Sequence, residues 1–225
     1  MNTVLITGAA GNLGHYVVST FLRNSWAIIA CCRNEEEKKL FDGVQGITAI
    51  QCDCTNEADV QNAFAVNTVI NAVVHLVGGI KAGFPIMKTD YSVFEAMYNL
   101  NVKSTFYIIR ESMIHMQNKG GSIITIGAKA AQHPEKNKAA YSSAKSSVIQ
   151  LTMAASEEGK EHNIRCNCIV PGIIKTAANM EWASNGEENT WTLPEDIAET
   201  IYYLSSDAAK GISGAIIPMY GKLTS

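Results

Sequence analysis

Short apolar runs alternate with longer amphipathic ones along the whole chain. "NTVLITG" is almost continuously apolar, as a parallel strand covered on both faces should be. The next segment carries Leu13, Tyr16, Val17, Thr20 and Phe21 at i, i+3, i+4, i+7, i+8 spacing, which predicts a helix. "WAIIACC" and "GITAIQC" read as the second and third strands, with a short charged helix around Glu35 to Phe41 between them. "NEADVQNAF" reads as a helix and "TVINAVVHL" as the fourth strand. A long helix from about Tyr91 to Asn118 follows, with Val93, Phe94, Met97, Leu100, Asn101 and Thr105 along one side. "SIITI", a helix from about Tyr141 to Glu158, "IRCNCIV", the proline-led helix "LPEDIAETIYYL" and "GAIIPM" complete the series. Strict β-α alternation predicts an α/β fold: one domain over 1–225 built on a doubly wound parallel sheet of about seven strands. The polar, irregular stretch at 177–192 reads as a substrate loop or lid on that domain.

Composition narrows the class. The chain has 225 residues, 47% apolar and 17% charged, enough for one well-buried core. A net charge of −3 with no basic block disfavours a nucleic-acid partner. The first residues carry no basic leader, and no apolar run approaches membrane-spanning length, so no membrane partner is expected. The six cysteines fall in pairs, Cys31/Cys32, Cys52/Cys54 and Cys166/Cys168, in or at the ends of strand-like runs. Two pairs have C-x-C spacing, but zinc sites favour wider spacing in loops, so the reading is reduced structural thiols, no metal and a cytoplasmic location.

"TGAAGNLG", Thr7 to Gly14, joins the first strand to the first helix and holds Gly8, Gly11 and Gly14, with Asn12 and Leu13 between the last two. Such a turn lets backbone approach a pyrophosphate while the helix N-terminus supplies free N–H groups. The end of the second strand should then meet the adenosine ribose. It ends in Cys31-Cys32, then Arg33-Asn34, with no acid before Glu35. A guanidinium suits a 2′-phosphate, so Arg33 favours NADP(H) over NAD(H). Asp53, after the third strand, could accept from the adenine amino group or simply serve the next helix's N-terminus.

Tyr141 and Lys145 are four residues apart and share one helix face. A neighbouring ammonium should lower the tyrosine pKa, and the lysine can also hold a ribose, which places a proton donor beside a hydride donor. With "TGAAGNLG", "LNVKST", "YSSAK", "PGIIKT" and the closing "LPEDIAETIYYLSSDAAKGISGAIIPMYG" in order, the whole chain resembles the short-chain dehydrogenase/reductase family. The resemblance implies a Rossmann-type sheet, Tyr141 as proton donor, Lys145 as its ribose-binding partner and Asn101 as holder of a proton-relay water. It also implies cofactor contacts at Gly78, Pro171, Gly172, Ile174 and Thr176, a small-molecule substrate, and a homodimer or homotetramer built through the long helices.

Three departures stand out. The glycine spacing is G-x-x-G-x-x-G, the family's N-N-A-G is replaced by His75-Leu76-Val77-Gly78, and the family serine position is Ala128. The histidine reads as structural, in place of an asparagine amide. Loss of the serine removes a donor to the substrate oxygen, worth about 10²–10³ in rate, with Thr125, Lys129, Ser143 and His133 as candidate substitutes. "GAKAA" locally resembles the dihydropteridine reductases, family members that also lack the serine and reduce a quinonoid ring. The expected activity is hydride transfer to a small carbonyl or conjugated, quinone-like acceptor, with Met180, Trp182 and Trp191 as apolar contacts or as packing. The alternative is a non-catalytic NADP(H)-binding regulator. An epimerase reading is disfavoured by the absence of room for an added substrate domain after the seventh strand.

Overall fold

A computed structural model describes residues 1–66, 68–184 and 186–223. Seven parallel strands form one sheet: β1 (Thr3–Thr7), β2 (Ala27–Cys32), β3 (Ile47–Gln51), β4 (Ala72–His75), β5 (Gly121–Ile126), β6 (Ile164–Pro171) and β7 (Ile216–Met219). Their spatial order is β3-β2-β1-β4-β5-β6-β7. The order reverses between β1 and β4, where Thr7 lies opposite His75. In such sheets ligands bind beyond the carboxyl ends of the strands at this reversal.

The continuous apolar runs follow from burial on both faces. Val4 and Ile6 of β1 point to one side with Ile28, Val74, Ile124 and Ile169. There they pack on helix α1 (Gly14–Arg23), through Val17 and Phe21. Leu5 points the other way with Ile29, Val73, Ile123 and Cys166. On that side lie, after the short charged α2 (Glu35–Lys39), α3 (Glu57–Phe64), α4 (Tyr91–Met97), α5 (Ser104–Met116), the short α6 (Lys129–Gln132) and α7 (Ala139–Glu158). A further short helix, α8 (Ala177–Met180), precedes α9 (Pro194–Ser205), whose Ile197, Ile201 and Leu204 join the α1 side. Each such side chain stabilises the fold by about 1.5–3 kcal/mol when fully buried.

The helix expected over 91–118 is continuous in direction but not in winding. Between α4 and α5 a π-helical turn spans Tyr98–Lys103. Its Leu100 and Asn101 carbonyls accept hydrogen bonds from the Ser104 and Thr105 hydroxyls at 2.5 and 2.6 Å. Side chains thereby serve carbonyls that the wider turn shifts off the regular ladder, and such turns recur at functional sites.

His75 fastens the strand reversal to this turn. Its Nδ1 lies 2.8 Å from Thr7 Oγ1 and its Nε2 3.2 Å from Ser104 Oγ. Ser104 spends its proton on Leu100, so it accepts from His75 Nε2–H, and Thr7 must then donate to Nδ1. Thr7 Oγ1 in turn accepts from Leu76 N–H at 3.2 Å. The ring is therefore a neutral Nε2–H tautomer, and burial, with the Lys145 charge nearby, pushes its pKa down to about 3. This agrees with the structural reading of His75. A histidine titrating at about 3 when folded and near 6.5 when unfolded binds its proton only in the unfolded chain between those values. Its contribution to stability is complete above about pH 6.5 and is lost as pH falls towards 3. Denaturant midpoints measured from pH 7 to 4 should fall more steeply for the parent than for His75→Asn, by about 1.4 kcal/mol per pH unit below pH 6. Parallel slopes would show that His75 is not a buried neutral ring.

Candidate active site

The glycine turn fits a pyrophosphate on its own geometry. Gly8 sits at φ +67°, a left-handed conformation that L side chains rarely adopt. A Cβ on Gly14 would lie 2.3 Å from both the Ala9 and Gly8 carbonyl oxygens, so the first helical turn closes tightly under the loop only because that position is glycine. Gly11 N–H bonds Gly8 O at 3.0 Å and sets the curve of the loop. No side chain caps α1 and no acid lies in its first turn. Of the amides that follow Thr7, Asn12 and Leu13, that of His15 is taken by Gly11 O at 3.3 Å, and the positive end of the helix dipole faces the loop, where it favours an anion.

Across the strand reversal, the loop after β4 and the helix α7 build the reacting end. Asn101 is fully buried. Its amide nitrogen donates to Gly79 O at 3.0 Å and Met97 O at 2.9 Å, and its Oδ1 accepts from Gly79 N–H at 3.1 Å. Gly78 is the point where the pieces meet: a Cβ there would stand 2.8 Å from Asn101 Oδ1 and 2.9 Å from Lys145 Nζ. Lys145 is only 6% exposed and donates to Ile126 O at 2.8 Å, at the end of β5. Burial lowers its pKa to about 8, with Cys168 opposing the shift.

Tyr141 lies one turn before Lys145 on α7 and packs with Val93, Met97, Ala140 and Ala144. The expectation of a lowered tyrosine pKa is not met in this structure. Burial, with a smaller push from Glu135, raises Tyr141 to about 12, while the Lys145 ammonium is turned to Ile126 O. A phenol held at 12 keeps its proton at neutral pH, the state a proton donor needs.

The remaining sequence candidates are distributed around this centre. Arg33 stands at the end of β2 with its side chain 76% exposed, but it pairs with Glu37 at 3.2 Å. Asp53 turns its carboxylate to the Thr55 N–H and hydroxyl, each at 2.8 Å, a local turn rather than a cap on α3, whose cap is Asn56. Pro171 ends β6, and Gly172 bonds Met219 O at 2.9 Å. Ile174 bridges to Thr192, and Thr176 caps α8. The stretch expected as an irregular loop at 177–192 holds α8 and a 3-10 turn, Glu187–Asn189; Asn185 lies outside the described residues. Trp191 is 4% exposed and packs against Trp182, which is 55% exposed, so packing is the role of Trp191 and the open apolar faces belong to Met180 and Trp182.

Among the described residues, neither Thr125 nor Ser143 stands in for the serine at Ala128. Thr125 is buried and hydrogen-bonded to Thr152 at 2.6 Å, and Ser143 bonds its own helix at Ala140 O. Lys129 and His133 instead face Tyr220, the lysine 5.5 Å from the ring centroid and the imidazole 5.9 Å. Tyr220 also donates to Gln132 Oε1 at 2.7 Å. The segment after β7 thereby clasps the helix that begins beside Ala128. It reaches the 177–192 stretch as well, through Lys222 N–H to Thr190 O at 2.7 Å and Thr192 Oγ1 to Met219 O at 2.6 Å. Sequence reasoning missed this clasp, since nothing local marks a contact 88 residues apart. It also missed the π turn, for which the Ser-Thr pair in "LNVKST" is the one available signal.

Fold and site together define a doubly wound dinucleotide-binding protein with a Tyr/Lys pair across the crevice. The short chain dehydrogenase family model matches residues 2–187, and the chain belongs to that family of oxidoreductases. It is 27% identical to the 3-oxoacyl-[acyl-carrier-protein] reductase FabG of Rickettsia felis, over 97% of this chain and 95% of that one. It is 26% identical to the acetoacetyl-CoA reductase of Allochromatium vinosum, covering 97% of each. Against the uncharacterized oxidoreductase YuxG of Bacillus subtilis it is 28% identical over 96% of this chain, but spans 36% of that longer protein. Among solved structures, ElxO with NADP bound superposes with a TM-score of 0.91 at 25% identity, covering 98% of this chain and 97% of that one. A short-chain type dehydrogenase/reductase from Mycobacterium ulcerans gives 0.90 at 28% identity, covering 98% and 89%.

Gly78→Ala should push Lys145 and Asn101 apart. The expected result is a loss of about 10²-fold in turnover, the usual cost of misplacing a reacting group by about 1 Å, with the melting temperature little changed. Steady-state kinetics beside a thermal melt would check it, and unaltered turnover would remove Gly78 from the site.

Proposed function

We propose that this protein is an NADP(H)-dependent reductase of small carbonyls or conjugated, quinone-like acceptors. The observation that carries the reading is the convergence of Lys145 and Asn101 on Gly78, one helical turn from a protonated Tyr141. When bound, the nicotinamide supplies the hydride. The chain's own residues do the rest: Tyr141 delivers the proton to the substrate oxygen, Lys145 holds the nicotinamide ribose, and Asn101 anchors the water that replenishes Tyr141. The glycine turn seats the pyrophosphate, Asp53 meets the adenine, and Pro171, Gly172, Ile174 and Thr176 border the carboxamide side. The 177–192 stretch covers the substrate, with Met180 and Trp182 as its apolar contacts.

Ala128 sets the acceptor class. A tetrahedral alkoxide forming on a simple ketone needs a hydrogen bond that alanine cannot give, whereas a conjugated acceptor spreads the charge over its own ring. This is the reaction style of the dihydropteridine reductases. The preference for NADP(H) draws on Arg33, which must exchange Glu37 for a 2′-phosphate. A homodimer or homotetramer through the long helices fits the exposed Phe94, Phe106 and Ile114. Among the described residues no helix is long and apolar enough to cross a membrane. The rival reading, a non-catalytic NADP(H)-binding regulator, draws on Ala128 alone.

Purified protein should oxidise NADPH with diketones, quinones or quinonoid pterins at rates at least about 10²-fold above those with simple ketones. Tyr141→Phe should lose at least about 10²-fold of that turnover. NADPH that binds tightly but is never consumed would favour the regulator. Arg33→Ala should weaken NADPH about tenfold and leave NADH nearly unchanged, as expected for one charged hydrogen bond; equal losses for both would sink the NADP(H) preference.

A further inference from the structure

Three thiols meet at the adenosine end of the crevice. Cys31 lies on β2 opposite Ile50 of β3, and Cys52 follows two residues after Ile50, on the same face of the sheet. The ladder continues past β3 through Cys52 N–H to Cys32 O at 2.7 Å. Cys31, Cys52 and Cys54 are all buried, in one cluster with Val60 and Phe64 of α3. Cys31 and Cys54 flank Cys52 within this cluster.

This arrangement polarises the three groups differently. The neighbouring thiols lower the pKa of Cys52, and Cys52, with burial, raises those of Cys31 and Cys54. In the other buried pair, burial and Cys168 raise Cys166, while burial raises Cys168 against opposing contacts from Thr125, Lys145, Gly127 and Thr152. Packing alone does not call for three adjoining thiols, since alanine or valine would fill the same space without a weakly acidic S–H. Cys52 is itself buried, between the exposed Gln51 and Asp53.

We propose that Cys52 is an oxidation site for hydroperoxides, which closes a disulfide with Cys31 and weakens dinucleotide binding. The Cys52 thiolate attacks the terminal hydroperoxide oxygen. An S–O bond forms, the O–O bond breaks, and the departing alkoxide takes a proton to leave as alcohol. Cys31 sulfur then attacks the sulfenic sulfur; the S–S bond forms, the S–O bond breaks, and hydroxide leaves with the Cys31 proton as water. Two thiols are oxidised by two electrons while one hydroperoxide is reduced to alcohol and water. Cys31 is the partner because its bridge joins two strands already laddered together, whereas Cys54 would close a ring of only three residues. The bridge draws in the ends of β2 and β3, and the first residues beyond those ends include Arg33 and Asp53, the two proposed adenosine contacts. The thiol chemistry stands apart from the proposed activity; only the effect on affinity rests on that reading.

The test treats the purified chain with tert-butyl hydroperoxide. Free thiols are then counted after denaturation, disulfide peptides are mapped by mass spectrometry, and NADPH affinity is titrated before and after dithiothreitol. The expected result is loss of two thiols, a Cys31–Cys52 peptide pair, and about a tenfold loss of NADPH affinity restored by reductant. Cys52→Ser and Cys52→Ala should both resist thiol loss. Six free thiols remaining, or oxidation confined to Cys32, Cys166 or Cys168, would overturn the site; a Cys52–Cys54 bridge would overturn the pairing. A Cys31–Cys52 bridge with unchanged NADPH affinity would overturn the coupling to the cofactor while leaving the oxidation site standing. No NADPH binding by the reduced protein would instead count against the proposed function.

Discussion

A single neutral imidazole holds the functional end of this sheet together. β1 and β4 part where their connections run to opposite faces, and the gap between them must stay open to admit a ligand. His75 bridges it from one hydroxyl to another, with Thr7 on β1 and Ser104 at the head of α5. Because each proton in that chain has one possible direction, the ring cannot accept another without losing a bond in a place water does not reach. The glycine turn hangs from Thr7, the Gly78 loop from His75 itself, and the π turn from Ser104. Their relative positions are therefore fixed by one buried relay rather than by three separate loops.

That relay also explains how the site tolerates its departures from the family pattern. An asparagine amide offers one donor and one acceptor, and the Nε2–H imidazole offers the same pair across a longer span. The serine at position 128 has no equivalent replacement. Thr125, the nearest hydroxyl on the strand, is committed to Thr152 in the core. Tyr141, Lys145 and Asn101 of the family pattern are present while its serine is not, so the proposed proton donor is kept without the proposed oxyanion donor.

Much of this was legible in the sequence, for reasons that differ by element. The central strands were readable because both sheet faces are covered there, so β1, β2 and β4 are buried and largely apolar along their length, and the edge strands β3 and β7 by their alternation with helices. The glycine turn and the Tyr/Lys pair were readable because each is a local pattern with a local geometric cause. The winding of the helix at Tyr98–Lys103 was not, since its hydrophobic stripe continues almost unbroken through the π turn. Nor was the pKa of Tyr141, because spacing places Lys145 near it without saying where the ammonium points. The thiol contacts and the Tyr220 clasp join residues far apart in the chain, and only the folded sheet brings them side by side.

The clasp has a bearing on how the protein is made. Tyr220 closes on Gln132 across 88 residues, and the 219–223 segment also fastens the 177–192 stretch. While the chain emerges from a ribosome, β1 to β6 and their helices can assemble before that segment is free. Throughout this interval the crevice at the strand reversal exists with the 177–192 stretch unfastened. The 177–192 stretch is fastened only when the strand at the sheet's far edge has been laid down, so the last residues made are the ones that close this side of the crevice.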